Sequence, residues 1–218
     1  MQIKTKYIID RQPIQGFVIK ALLLCVVLGL LAAAGNAADK SYPSLRDNID
    51  PQFQAVFKKA LDKQFGQVMR DLVKAKKVGI VLADITDCHK PKVAQVNGDN
   101  MMYAASLPKI AIVLGFFLEM ERGKLKLDEE TKQLLIATVR KSSNKADTEL
   151  LNRVGIENLA QILQSDRYRL YDPQYGGGLW VGRDYSGGPV WKRDPISNLS
   201  HGASAIQAAR FYYLGATG

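Results

Sequence analysis

A serine and a lysine three residues apart form the first arrangement in this sequence that could do chemistry. They are Ser106 and Lys109 in Ser106-Leu107-Pro108-Lys109, where serine and proline favour the first turn of a helix. On a helix this spacing places the two side chains on one face, one turn apart. The amine could then take the hydroxyl proton as Ser106 attacks a carbonyl. The short pattern also fits a capping serine and a lysine that reaches solvent.

The residues around Lys109 favour the chemical interpretation. Between Asp99 and Glu119, Lys109 is the single charged residue, with MMYAASLP before it and IAIVLGFFL after it. A helix that is apolar on every face is buried, and burial disfavours the charged form of a lysine. The sequence therefore predicts a buried Lys109 that is partly neutral near pH 7, acts as a base and hydrogen-bonds to Ser106.

A second short motif, Ser142-Ser143-Asn144, begins 36 residues after Ser106, within KSSNKADTELL. We expect it to lie between two helices and across a cleft from Ser106. There the Ser142 hydroxyl could pass a proton to a leaving group, and the Asn144 amide could bind a substrate amide. Serine and asparagine are also the usual helix caps, so the motif by itself has a structural interpretation as well.

Together these residues resemble the penicillin-recognising serine hydrolase superfamily, which includes the class A β-lactamases. In that superfamily S-x-x-K is followed by S-D-N or S-x-N, and then by K-T-G on a strand. The stretches YRLYDPQYGGGLWVG and HGASAIQAARFYYL resemble a subgroup often labelled serine hydrolase, and the resemblance covers about residues 51–218. It implies catalytic roles for Ser106, Lys109 and Ser142, substrate binding by Asn144, and no cofactor or metal.

Three departures separate the sequence from that pattern. The spacing between the two motifs is short, no K-T-G follows, and no glutamate occurs after Glu157 to match the family's deacylating glutamate. The acids of the following loop, Asp172, Asp184 and Asp194, are interpreted as turn residues. The alternative to an acyl-transfer enzyme is therefore a catalytically silent or penicillin-binding scaffold on the same fold.

The periodicity of apolar residues predicts an α+β fold of the β-lactamase/transpeptidase type, with a helical cluster beside an antiparallel sheet. Two strands are too few to stand alone, so C-terminal strands are expected to be missing and residues 38–218 to be an incomplete domain. The predicted elements are helices over 51–77, 106–122, 128–141, 144–154 and 156–164, strands over 78–85 and 93–96, an ordered loop over 168–199 and a final helix from Ser200.

Residues 1–37 have the composition of a secretory signal. Four basic residues and one acid lie in residues 1–20, the uncharged run ALLLCVVLGLLAAAG follows, and small residues surround the expected cleavage site after Ala37. The apolar run is short for a spanning helix, which needs about 20 residues. An exported protein, periplasmic or secreted, is therefore expected, with an uncleaved membrane anchor as the alternative.

The whole composition excludes several classes of protein. With 218 residues, a net charge of +9 and 47% hydrophobic residues, the chain suits one globular domain rather than a disordered protein. The charge is not gathered in a stripe, and no nucleic-acid motif occurs. After removal of the leader only Cys88 remains, so neither an internal disulfide nor a zinc cluster is expected. The expected partner is a small-molecule or peptidoglycan-peptide substrate, with membrane contact only through an uncleaved leader.

Two further arrangements have structural interpretations. Ser200, His201 and Asp194 could form a Ser-His-Asp set, but no G-x-S-x-G occurs and the first two are expected at a helix N-terminus. An aromatic set could line a glycan site, but it is expected to pack the loop instead. Its members are Tyr168, Tyr171, Trp180, Tyr185 and Trp191.

Overall fold

The computed structural model describes residues 44–217, so the predicted leader over residues 1–37 lies outside the described part. Residues 44–213 belong to one compact unit, and Leu214–Thr217 belong to another. The first elements are a 3₁₀ turn at Leu45–Asn48, helix α1 at Pro51–Lys74, strand β1 at Ile80–Asp84, strand β2 at Lys92–Val96 and strand β3 at Met102–Tyr103.

Helix α1 begins at the predicted residue and has a break within it. The Asp50 side chain caps its start by accepting a hydrogen bond from Phe53 N, and Pro51 occupies the first turn, where no backbone donor is needed. Gly66 adopts a left-handed backbone with φ of 56°, a conformation that glycine reaches without steric cost. The helix therefore changes direction at Gly66.

The β1–β2 hairpin carries apolar residues on both faces. The strands pair antiparallel, from Ile80 opposite Val96 to Asp84 opposite Lys92, as the sequence predicts. On one face, α1 covers the hairpin, while residues of the 3₁₀ turn and of the last helix cover the other. The buried members of these two clusters are Phe57, Ala94 and Val96 on the first face, and Leu45, Val93, Ile206 and Tyr213 on the second.

A cluster of four helices follows the third strand: α2 at Lys109–Glu121, α3 at Glu129–Lys141, α4 at Asn144–Val154 and α5 at Ile156–Gln164. Asp128 caps α3 by accepting from Thr131 N, and Ser143 caps α4 by accepting from Ala146 N. Helix α2 packs against α4 and α5, and its apolar sequence is explained by this central position. The fully buried side chains between these helices include Ile112, Phe116, Leu150, Leu159 and Leu163.

The stretch predicted as a loop over 168–199 contains short strands, and the final helix starts later than predicted. His201 belongs to a strand that lies at the centre of a three-stranded antiparallel sheet, so the prediction of a helix from Ser200 was wrong. The strands have only two or three residues, too few for a visible alternation of apolar side chains. They are β4 at Tyr171–Asp172, β5 at Gly177–Gly178, β6 at Trp180–Val181 and β7 at His201–Ala203, before helix α6 at Ala205–Thr217.

The observed mixture of helices and small antiparallel sheets agrees with the predicted α+β class. Strands β3, β7 and β6 pair in that order, and β4 pairs with β5. Further C-terminal strands remain a prediction. Among the described residues, no helix combines the length and apolar character needed to cross a membrane.

Candidate active site

Ser106 lies in the turn that leads into α2, rather than in the helix itself. Leu107 N donates to Ala104 O at 2.8 Å, and Lys109 N donates to Ser106 O at 3.2 Å, so the chain turns tightly before the helix begins. Ala105 has a left-handed backbone with φ of 45°, which is uncommon for a residue with a side chain. The turn leaves Ser106 exposed to solvent.

Lys109, at the first position of α2, is buried as predicted, with 4% of its surface exposed. Its ammonium group Nζ donates to Ser142 O at 2.7 Å, to Ser142 Oγ at 3.2 Å and to Asn144 Oδ1 at 2.8 Å. One buried lysine thus joins the two sequence motifs. The predicted hydrogen bond between Lys109 and Ser106 is not among its contacts in the described structure. Since α2 begins at Lys109, the two side chains are not one turn apart on a helix.

Asp147 and Tyr185 complete the surroundings of Lys109. Asp147 has no exposed surface, and its Oδ2 lies 2.6 Å from Lys109 Nζ. The Tyr185 ring lies over the ammonium, with 4.6 Å between Nζ and the ring centroid. Burial raises the pKa of the Asp147 carboxyl, while the Lys109 ammonium and the Thr138 hydroxyl oppose that shift. An anion, three oxygen acceptors and an aromatic face therefore surround the Lys109 ammonium and compensate its positive charge.

The S-x-N motif lies between two helices, as predicted. Ser142 ends α3 in a left-handed conformation with φ of 49°, Ser143 caps α4, and Asn144 is the first residue of α4. Ser142 and Asn144 are both exposed, although each also contacts the buried ammonium. The motif therefore lies at the surface while its side chains contact the buried ammonium.

His201 lies near this cluster, and its Nδ1 is 3.5 Å from Ser200 Oγ, but Asp194 does not join the two in a Ser-His-Asp set. Its ring centroid is 4.3 Å from that of Tyr185, and its Nε2 is 3.1 Å from Arg183 O. Burial lowers the pKa of His201. Among the described residues, the Asp194 carboxylate accepts hydrogen bonds from the Tyr171 hydroxyl and from backbone amides of its own turn, and none from His201.

The aromatic residues of the loop mainly pack it. Tyr171 and Trp180 are buried with ring centroids 4.7 Å apart, and Trp180 Nε1 donates to Lys192 O at 3.1 Å. Trp191 stacks beside Trp180, in agreement with the expected packing of the loop, but 39% of its surface is exposed. Across the described residues, no group of three or more histidine, cysteine or acidic side chains could hold a metal ion.

The sequence analysis did not assign Asp147 to the site, and it assigned Tyr185 to the packing of the loop rather than to Lys109. Asp147 lies in the first turn of α4, where an acid is expected simply because it complements the helix dipole. Its spacing of three residues from Asn144 would place both on one face of the helix, which is the signal that could have identified it. Tyr185 reaches the site from a loop far along the chain, and no spacing in the sequence indicates that contact.

A comparison with models of known protein families gives a match. A family model described as "Beta-lactamase enzyme family" matches residues 59–172, slightly more than half of the chain. The matched range contains Ser106, Lys109, Ser142 and Asn144, together with helices α2 to α5. Comparisons with curated proteins and with solved structures gave no match.

Proposed function

Because the chain belongs to the beta-lactamase enzyme family, we propose that it is an active-site-serine hydrolase that forms an acyl-serine on Ser106. The single observation that carries this proposal is the meeting of the two motifs at Lys109, whose Nζ contacts Ser142 and Asn144 from a buried position. A capping serine and a lysine directed to solvent would not produce this arrangement. The exposure of Ser106 supports its assignment as the nucleophile.

The proposed reaction needs three groups at one carbonyl. Ser106 Oγ attacks the carbonyl carbon of a β-lactam or peptide amide and loses its proton, the carbon–nitrogen bond breaks, and the departing nitrogen gains a proton. Lys109 is proposed as the group that receives the Ser106 proton, and the Ser142 hydroxyl as the group that passes a proton to the nitrogen. Asn144, which is an exposed residue, is proposed to bind the substrate amide.

The substrate is proposed to be a small β-lactam or a peptidoglycan peptide, and no nucleic-acid partner or cofactor is required. Both substrates present an amide carbonyl that a serine could attack. A peptidoglycan peptide would also fit an exported protein, in agreement with the basic and apolar leader of residues 1–37. The location is therefore proposed to be the periplasm or the exterior, with or without a retained anchor.

A fluorescent penicillin tests the proposal directly. The whole chain should carry a covalent label that survives denaturation, and Ser106→Ala should carry none. Ser44→Ala is the matched control, because the Ser44 side chain makes no capping bond. Labelling that persists in Ser106→Ala would contradict the assignment of the nucleophile. Absence of labelling in the wild-type protein at every pH between about 6 and 10 would contradict the acylation of Ser106 by penicillins.

A penicillin-binding or silent scaffold is the second candidate, and one observation favours it. Lys109 is engaged by Asp147, Ser142 and Asn144, and it makes no hydrogen bond to Ser106 within the described residues. A lysine held in this way is less available as a base. The presence of a covalent adduct at Ser106 distinguishes the two candidates. Reversible, non-covalent binding of penicillin with no such adduct would favour the scaffold.

A further inference from the structure

Asp147 is the buried acid of the candidate site to which the two sequence motifs assign no role. It lies in the first turn of α4, three residues after Asn144, and has no exposed surface. Its Oδ2 is 2.6 Å from Lys109 Nζ, and only 5% of the lysine side chain is exposed. The pair joins α2 to α4 directly beneath the exposed Ser142 and Asn144.

Each member of this pair depends on the other. A carboxylate or an ammonium removed from water is costly unless an opposite charge or hydrogen bonds compensate it. The remaining polar partners of Lys109 Nζ are neutral oxygens of Ser142 and Asn144, so Asp147 supplies the negative charge in contact with it. Without that carboxylate, the ammonium would stay buried beneath the Tyr185 ring with its charge uncompensated.

We propose that Asp147 is a positioning residue: it holds the Lys109 ammonium against the Ser142–Asn144 turn, so that Lys109 serves Ser106 as a base only after the pair has lost a proton. This inference rests on the proposed acyl-serine function. In the charged pair, Nζ has no free electron pair and cannot accept the Ser106 proton. When the pair loses one proton to solvent, the neutral amine can accept it during attack on the carbonyl.

Other titratable groups face the pair from several elements, and two of them are neutral at mildly basic pH. Burial raises the pKa of Tyr185, with smaller contributions from the charge of Asp147 and from Tyr103 on β3. Burial lowers the pKa of His201 on β7, which keeps that ring neutral above pH 7. Charged groups that also act on His201 are Arg183, Asp184 and Lys109.

The pH profile of acylation distinguishes positioning from a merely structural role. The rate of penicillin labelling would be measured from about pH 6 to 10 for the wild-type protein and for Asp147→Asn. Removing the carboxylate destabilises the buried ammonium, so the rising limb of the profile should move to lower pH by about 1–3 pH units. A lower rate with an unmoved profile would overturn the proposal.

Glu149→Gln is the matched control for this profile. Glu149 lies on the same helix, and its replacement removes the same charge, but it pairs with Arg153 at the surface. Its profile should coincide with that of the wild-type protein. An equal displacement in Glu149→Gln would show that general loss of negative charge, rather than Asp147, moves the profile, and this result would also overturn the proposal.

A denaturation cycle tests the pair independently of any acylation. Lys109→Met and Asp147→Leu should each lower the urea midpoint, because each leaves one buried charge without its partner. The double variant should recover much of that loss. If the double variant lost as much stability as the two single variants together, the inference would be overturned, even if Ser106 is acylated. The double variant could recover stability while the wild-type protein carries no penicillin label. That result would contradict the proposed function, but it would establish the coupling of Lys109 and Asp147.

Discussion

Ser142 combines a candidate chemical role with an unusual backbone. Its φ of 49° lies in the left-handed region, which costs a residue with a side chain about 1–2 kcal/mol relative to glycine. At the same time its hydroxyl accepts a hydrogen bond from the buried Lys109. A helix could end here with glycine at less cost. The presence of serine at this position is therefore consistent with a use of the hydroxyl.

Two substitutions separate the hydroxyl from the backbone. Ser142→Gly and Ser142→Ala both remove the hydroxyl, but only glycine relieves the left-handed conformation. The unfolding free energy of Ser142→Gly should therefore exceed that of Ser142→Ala by about 1 kcal/mol. Its urea midpoint should be higher as well. Both should lose about 100-fold or more in the rate of penicillin labelling if Ser142 transfers a proton. If the labelling rate were instead normal in Ser142→Gly and reduced only in the less stable Ser142→Ala, the role of Ser142 would be structural alone.

His201 should make stability depend on pH in a defined window. Burial lowers the pKa of His201 in the folded protein, so below its usual value near 6.5 the unfolded chain binds a proton that the folded chain does not. Its contribution to stability is thus present above about pH 6.5 and is lost as pH falls below that value. Urea unfolding from pH 5 to 8 should show this slope in the wild-type protein and less of it in His201→Phe. An equal slope in His201→Phe would contradict the assignment of this pH dependence to His201.

At the residue scale, the sequence predicted that Lys109, Ser142 and Asn144 belong to one site, but not the contacts of Asp147 and Tyr185 with Lys109. The apolar flanks of Lys109 correctly predicted its burial, because a helix that is apolar on every face packs inside the protein. The expected bond to Ser106 was wrong because it assumed that both residues lie within the helix. The carboxylate of Asp147 also holds Nζ toward α4, and that charge pairing depends on how two helices pack.

At the scale of elements, the loop over residues 182–200 decides how the site is covered. Its two ends meet at Gly182, whose N donates to Ser200 O at 2.7 Å and whose carbonyl accepts from Trp191 N at 2.8 Å. A Cβ at Gly182 would overlap the carbonyl oxygen of Lys192. The close approach of these backbones therefore requires glycine, and it positions the Tyr185 ring over Lys109.

Gly182→Ala should loosen this loop. The overlap with a backbone atom should cost about 1–3 kcal/mol, which would raise the population of the open loop by roughly 5-fold to 150-fold. Brief trypsin digestion, followed by mass spectrometry, should then show faster cleavage after Arg183 and Lys192 than in the wild-type protein. Val190→Ala, a change at a partly exposed position of the same loop, should not alter the rate. An unchanged rate in Gly182→Ala would indicate that the loop adjusts without opening.

The ends of the predicted elements were most accurate where the periodicity of apolar residues and the capping residues indicate the same boundary. Helices α4 and α5 have the predicted ends, because Ser143 caps the first and Gly155 separates the two. Strands β4 to β7 were missed because two or three residues, several of them glycine, show no alternation. Strand β7 pairs with β3, which lies about a hundred residues earlier in the sequence, and local patterns cannot indicate such a pairing.

At the scale of the whole molecule, the distribution of acids bears on turnover. The three acids of the long loop act as turn residues, as predicted, because backbone amides donate to each of them. Asp147 is engaged by Lys109, and Glu157 accepts a hydrogen bond from Trp191. Acylation requires a nucleophile and a proton acceptor, but release of the acyl group also requires a base that directs water to it. The loop acids, Asp147 and Glu157 are each committed to other contacts.

We therefore expect acylation by a penicillin to be faster than release of the acyl group. Intact-protein mass spectrometry after mixing should show one adduct that accumulates within minutes and then persists, while Ser106→Ala shows none. Absorbance should record about one β-lactam opened per protein chain, followed by little further hydrolysis, because each chain remains acylated. Steady hydrolysis over many equivalents with no lasting adduct would mean that another group activates water. In that case the protein would be a true β-lactamase, and the commitment of its acids to structural contacts would not limit turnover.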